Sequence, residues 1–178
     1  MPIENPDKLG TVATIKMNGI FDFKGLYHVM HDWFVDRGYY FEETLYKHKV
    51  PSPAGAEQTI NWSGWKKVNE FVKYWIKLYI KVWDMKQLEV VKNGEKKILT
   101  KARLRIFFEG EIEFDYAKRF SGNKFLQSLQ DIYLNYIIKK DLQNIYEDQL
   151  WYVIYKLHRV TKEFLDFDTK GNAFYDVW

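Results

Sequence analysis

VNEFVKYWIKLYIKVW, residues 68–83, supports two incompatible readings, and the choice between them decides the fold. Val68, Phe71, Val72, Trp75, Ile76, Tyr79, Ile80 and Trp83 recur at helical spacing. Val72, Tyr74, Ile76, Leu78, Ile80 and Val82 alternate equally well against Phe71, Lys73, Trp75, Lys77, Tyr79, Lys81 and Trp83. Composition favours the second reading. Residues 71–83 are β-branched and aromatic and contain no Ala, Glu or Gln, so side chains that suit a pleated surface dominate. The segment is expected to be a strand, with one helical turn over Ser63–Asn69 possible before it. Lys73, Trp75, Lys77, Tyr79, Lys81 and Trp83 then share one face.

Working towards the N-terminus, Thr11 to Asn18 alternates as a strand. Asp22 is placed to cap a helix from Phe23 to Arg37, whose Leu26, Met30, Trp33 and Phe34 recur on one side and which Gly38 ends. Tyr39 to Val50 reads as a strand entering the loop Pro51–Gly55. In the other direction, Leu88–Val91 and Lys97–Phe108 form a hairpin around Asn93-Gly94, a pair suited to a type I′ turn. Its second strand turns Ala102, Leu104, Ile106 and Phe108 inward and Lys101, Arg103 and Arg105 outward. Glu109-Gly110-Glu111 is expected to be a three-residue loop, which lets Ile106 and Phe114 share a face and sets Arg105 opposite Asp115. Glu113 and Asp115 would then neutralise much of the stripe on 101–105.

Ser121 can cap a helix carrying Phe125, Leu129, Ile132, Tyr136 and Ile137. A second helix runs from Leu142 to Asp166, with a break expected near Lys139–Asn144, since one helix through both would outrun a compact domain. The expected fold is a single α+β domain over residues 1–178: a curved antiparallel sheet of five to six strands, with one N-terminal helix and two C-terminal helices packed on one face.

The chain has 178 residues, 47% of them hydrophobic and 19% aromatic, which excludes a disordered chain. It has no cysteine, which excludes disulfide scaffolds, thiolate metal sites and cysteine nucleophiles. Met1–Gly10 has no apolar stretch of signal-peptide length and no long apolar run occurs elsewhere, so a cytoplasmic protein is expected. Formal charge is only +3, but residues 1–65 carry −2, 66–105 carry +8 and 106–178 carry −3. A concentrated positive block attracts anionic partners more than the mean charge does.

Interleaved cations and rings suit single-stranded nucleic acid, because ammonium and guanidinium groups neutralise phosphates while Trp and Tyr stack bases. The candidate contacts are Lys73, Trp75, Lys77, Tyr79, Lys81 and Trp83, joined by Lys101, Arg103 and Arg105. The opposing reading buries Trp75, Tyr79 and Trp83 under helices, with lysine stems along their edges. Other constellations carry less. His28, His31 and Asp32 lack a further metal anchor, His48 and His158 lack a partner base, and the four serines show no Ser/His/Asp pattern. Glu42 and Glu43 face opposite ways. Asp166–Gly171 begins like a calcium loop, but Val177 stands where a bidentate Glu is needed. No phosphate-binding glycine motif occurs. No catalytic residue, metal or cofactor is expected.

KHKVPSPAGAEQTINWSGWKKV, from Lys47 through Val68, resembles a small family of uncharacterised archaeal proteins. The likeness extends through Tyr74-Trp75, Thr100-Lys101-Ala102-Arg103 and Phe114-Asp115-Tyr116. It implies an intracellular archaeal protein and no particular activity. The meander and the C-terminal helix are also similar to helix-grip, START-like domains, which hold apolar ligands between sheet and helix. The leading expectation is a non-enzymatic domain binding nucleic acid or a ribonucleoprotein. Two alternatives stand beside it: a pocket for an apolar small molecule lined by Tyr136, Trp151 and Tyr155, and a homo-oligomer formed through the C-terminal helices.

Overall fold

The computed structural model describes residues 7–53, 55–92, 95–117 and 142–167, together with Ser128 and Ile132. Five strands, β1 (Asp7–Phe21), β2 (Tyr40–Ser52), β3 (Gly55–Lys67), β4 (Val72–Lys92) and β5 (Glu95–Phe114), form one antiparallel sheet in the order β1-β5-β4-β3-β2. Helix α1 (Phe23–Asp36) comes directly after β1. Helix α2 (Asp148–Phe164) comes after a π-helical turn over Leu142–Glu147. β1 and β2 lie at opposite edges, so α1 carries the chain from one edge to the other across a single face.

The strand reading of 72–83 holds, and its alternation builds the core. Val72, Tyr74, Ile76, Leu78, Ile80 and Val82 are buried against the helices, as are Leu104, Ile106, Phe108, Ile112 and Phe114 of β5. Leu26, Met30 and Phe34 of α1 and Leu150, Ile154 and Leu157 of α2 close this layer. At about 1.5–3 kcal/mol per fully buried large apolar side chain, the helix-side face is the dominant driving force. Local signals agree with it. The Asp22 carboxylate accepts from the Gly25 amide at 2.8 Å as the α1 cap. Gly38 takes a left-handed φ of +69° after the helix end.

Four expectations need correction. Gly55–Lys67 is a full strand; its Gln58, Thr59, Asn61, Ser63 and Gly64 hide the alternation that Ala56, Ile60 and Trp62 provide. The helical turn over 63–69 is therefore absent. In its place Asn69 Oδ1 accepts from the Phe71 and Val72 amides, each at 2.8 Å, and turns the chain directly into β4. Second, 72–83 and 88–91 belong to one strand, interrupted only by a bulge between Trp83 and Lys86. Beyond Met85 and Thr100 the β4–β5 pair has no further strand neighbours among the described residues and continues as a two-stranded arm. The turn at Asn93-Gly94 lies outside the described residues.

Third, Glu109–Glu111 is no loop. β5 runs straight through Gly110, which pairs with Gly10 and Ile76. The glycine there serves packing: a Cβ would meet Ile154 Cδ1 at 2.8 Å and Leu150 Cδ2 at 3.2 Å, because α2 crosses the sheet at this point. Fourth, the described residues contain two helices, one before the meander and one after it, and five strands. The helix expected from Ser121 and the residue Tyr136 lie outside the described residues, apart from Ser128 and Ile132, which are helical; of the break expected near Lys139–Asn144, residues 139–141 lie outside them and 142–144 belong to the π-helical turn.

Candidate functional site

Both helices pack on one face of the sheet, and Lys73, Trp75, Lys77, Tyr79, Lys81 and Trp83 all lie on the other. Pairing adds Lys101, Arg103 and Arg105 of β5 to that open face, as their alternation implies. The nine residues nevertheless divide into two chemically different ends.

At the end near the Asn69 turn the cations are consumed internally. Lys73 Nζ lies 2.9 Å from Glu113 Oε2 and within about 5 Å of the Trp65, Trp75 and Tyr116 rings. Trp75 Nε1 donates to the same carboxylate at 2.7 Å. Lys77 Nζ meets Glu111 Oε1 at 2.7 Å, and that glutamate side chain is only 11% exposed. The Trp65 and Trp75 rings, 6.3 Å apart, complete the cluster. Partly desolvated pairs of this kind neutralise one another and present little field to solvent. Lys73, Trp75 and Lys77 are thus tied to carboxylates within the sheet; Trp75, Tyr79 and Trp83 lie on the face away from the helices, not beneath them as the opposing reading of the stripe had it.

At the other end the arrangement reverses. Because β5 continues past Gly110, Arg105 stands opposite Lys81 on one side and Lys16 on the other, and not opposite Asp115. Three cations thus lie in one cross-strand row. Among the described residues none of them has a carboxylate within 4.0 Å. Like charges directly opposite one another are unfavourable, by up to about 1 kcal/mol per pair, so this row is retained at a cost to stability. One pleat away, Tyr79 and Phe107 form a cross-strand aromatic pair on the same face. One pleat in the other direction, Trp83 stands opposite Arg103.

The bulge sets the lower boundary. Asp84 adopts φ +56° and its Oδ2 accepts from Arg103 Nε at 2.5 Å, which holds the guanidinium 5.9 Å from the Trp83 ring. Arg105 sits 5.9 Å from Trp83 and 5.8 Å from Phe107. The extra residue also reverses the facing of β4 beyond the bulge, so Lys86 joins Lys101 on the open side. Lys16, Asn18, Trp83, Arg103 and Arg105 line an open groove of about 430 Å³. Lys16, Asn18 and Phe107 were not singled out from sequence. Phe107 can be found from the alternation that turns Arg105 outward, whereas Lys16 requires the long-range β1–β5 register.

The remaining candidates have structural partners. His31 Nδ1 lies 3.1 Å from Asp32 Oδ1 and the His31 ring is edge-on to Phe41. Among the described residues no three His, Asp or Glu side chains gather as a metal site. Glu43 Oε2 accepts from Tyr27 Oη at 3.0 Å and Trp62 Nε1 at 3.1 Å; burial, reinforced by that carboxylate, pushes the Tyr27 phenol up to about 12. His158 is wedged between Phe108 and Tyr155, and burial, with Lys162 adding repulsion, holds its imidazole down at about 4. Trp151 and Tyr155, 5.1 Å apart, pack against the core along α2. No helix among the described residues is long and apolar enough to cross a membrane. The sequence matches no protein-family profile, no curated protein and no solved structure.

Proposed function

We propose that this protein binds nucleic acid through the lower half of its open sheet face. The observation that carries the reading is the Lys16–Arg105–Lys81 row, three cations without a carboxylate partner among the described residues, flanked by Tyr79 and Phe107 on one side and Trp83 on the other. A merely solvated face would interleave signs, as the upper half of this sheet face does. A row of uncompensated cations beside aromatic rings suits phosphate neutralisation with base contact. Arg103 and Lys101 continue the track along β5. Lys73, Trp75 and Lys77 contribute stability and take no part in binding.

The test is fluorescence anisotropy of labelled RNA against the full chain across a salt series. Five phosphate contacts from Lys16, Lys81, Lys101, Arg103 and Arg105, with Arg103 exchanging its solvent-exposed pair with Asp84 for phosphate, give a log–log salt slope of about −3.5 to −4.5. Replacing both Lys81 and Arg105 by Glu lowers affinity and flattens that slope by at least about 1.4. Lys73→Gln leaves both unchanged. Equal affinity and slope in the double variant would refute the reading.

A further inference from the structure

The open-face column of β5 reads, from the arm upward, Lys101, Arg103, Arg105, Phe107, Glu109, Glu111 and Glu113. Charge therefore changes sign within one strand, and the boundary is an aromatic residue. Phe107 stands opposite Tyr79 across the strands, so the boundary carries two aromatic side chains on the open face. Glu111 and Glu113 are held in place by Lys77 and Lys73, and Glu109 accepts from Thr11 Oγ1 at 3.2 Å, so the acidic end is a fixed part of the sheet.

We infer that the ligand is a single-stranded segment lying along β5, its phosphates on Lys101, Arg103 and Arg105, with terminal bases stacked on Tyr79 and Phe107 and with Glu109 blocking further extension. This rests on the nucleic-acid reading above and specifies its substrate class. The geometry separates single strands from duplexes. Side chains on one face recur every second residue, at roughly 6.6 Å, so the Tyr79–Phe107 pair and Trp83 stand about 13 Å apart with a cationic row between them. A duplex keeps its bases stacked at about 3.4 Å and turned away from a flat surface, so neither ring reaches a base face. A single strand can splay its bases onto both. From Phe107 to Lys101 the track is roughly 20 Å long, which spans about three to six nucleotides according to how far the strand is extended.

Ring position and cation position make separable demands, and this decides the experiment. Binding of the full chain would be measured by anisotropy with three probes at one salt concentration: a labelled 6-nucleotide oligouridylate, a labelled RNA duplex of mixed sequence, and inorganic polyphosphate of matched charge displacing each. The single strand is expected to bind at least about tenfold more tightly than the duplex. Phe107→Leu and Tyr79→Leu are each expected to weaken single-strand binding by about 5- to 150-fold, the loss of one stacked base, while changing duplex and polyphosphate binding less than twofold. Phe107→Tyr, which keeps the ring, restores single-strand binding and guards against a folding artefact. Glu109→Lys lengthens the footprint measured with longer oligouridylates.

Equal affinity for duplex and single strand, or Leu variants that bind normally while the Lys81 and Arg105 charge reversals do not, would overturn this inference and leave nucleic-acid binding intact. Polyphosphate competing as well as oligouridylate would overturn it too, reducing the site to a point-charge polyanion surface. No binding of any RNA probe would overturn both.

Discussion

Gly110→Ala tests the feature on which the whole site depends, the continuity of β5. Were residues 109–111 a surface loop, a methyl group there would be harmless. In the folded sheet the new Cβ lands 2.8 Å from Ile154 Cδ1, with Leu150 Cδ2 at 3.2 Å and Cγ at 3.4 Å behind it, and Leu150 and Ile154 are fully buried. Overpacking of this kind costs about 1–3 kcal/mol, and the entropy gained by replacing glycine in a strand offsets about 0.5–1 kcal/mol of it. The net expectation is a loss of up to about 2.5 kcal/mol, or a fall in Tm of up to roughly 10 °C for a chain of this size. Thermal and urea unfolding followed by circular dichroism would measure it. The contact is specified by a second substitution. Ile154→Val removes the Cδ1 atom that clashes and alone costs about 0.5–1.5 kcal/mol. Combined with Gly110→Ala, it is expected to cost clearly less than the sum of the two. Strict additivity would show that α2 does not cross β5 at Gly110.

Other consequences can be checked independently. Arg105→Glu places a carboxylate between Lys16 and Lys81, so it is expected to raise stability by about 0.5–1.5 kcal/mol in urea unfolding while lowering RNA affinity; a destabilised variant would mean that the row is not repulsive. Glu113→Gln weakens its links to Lys73 and Trp75 and is expected to cost about 1–2 kcal/mol of stability with unchanged RNA binding. His158 titrates near 4 in the fold against 6.5 when exposed, so between those pH values the unfolded chain binds more protons; its contribution is complete above about pH 6.5 and falls as acid is added. After allowance for partial solvent contact this amounts to roughly 1–3 kcal/mol by pH 4. His158→Gln should flatten that part of the stability–pH curve, and an unchanged curve would contradict the burial argument.

Much of the helix-side core was legible because period and burial agree there: Val72 to Val82 and Ala102 to Phe108 alternate cleanly, and Asp22 and Gly38 bracket α1. β3 was not, since a strand whose inward residues include Gln58 and Gly64 carries too few apolar markers at period two. Gly110 misled for a related reason. Glycine between two glutamates is the local signature of a turn, and only the position of α2, set by contacts about forty residues away, shows it to be a packing glycine. The stripe itself was visible, but its division was not. Which lysines meet a glutamate depends on the β4–β5 register, and one expected loop moved Arg105 from an uncompensated position to a neutralised one.

The sign change along β5 also bears on how partners meet. Uncompensated cations at one end of the face and ion-paired charges at the other leave a positive potential concentrated towards the arm, felt at distances up to the roughly 8–10 Å over which salt screens charge. A polyanion approaching the open face is therefore turned before contact, arriving with its chain over Arg103 and Arg105 and away from Glu111. Orientation before collision acts on the association rate and leaves the lifetime of the complex to the rings. Salt should slow arrival far more than it hastens departure.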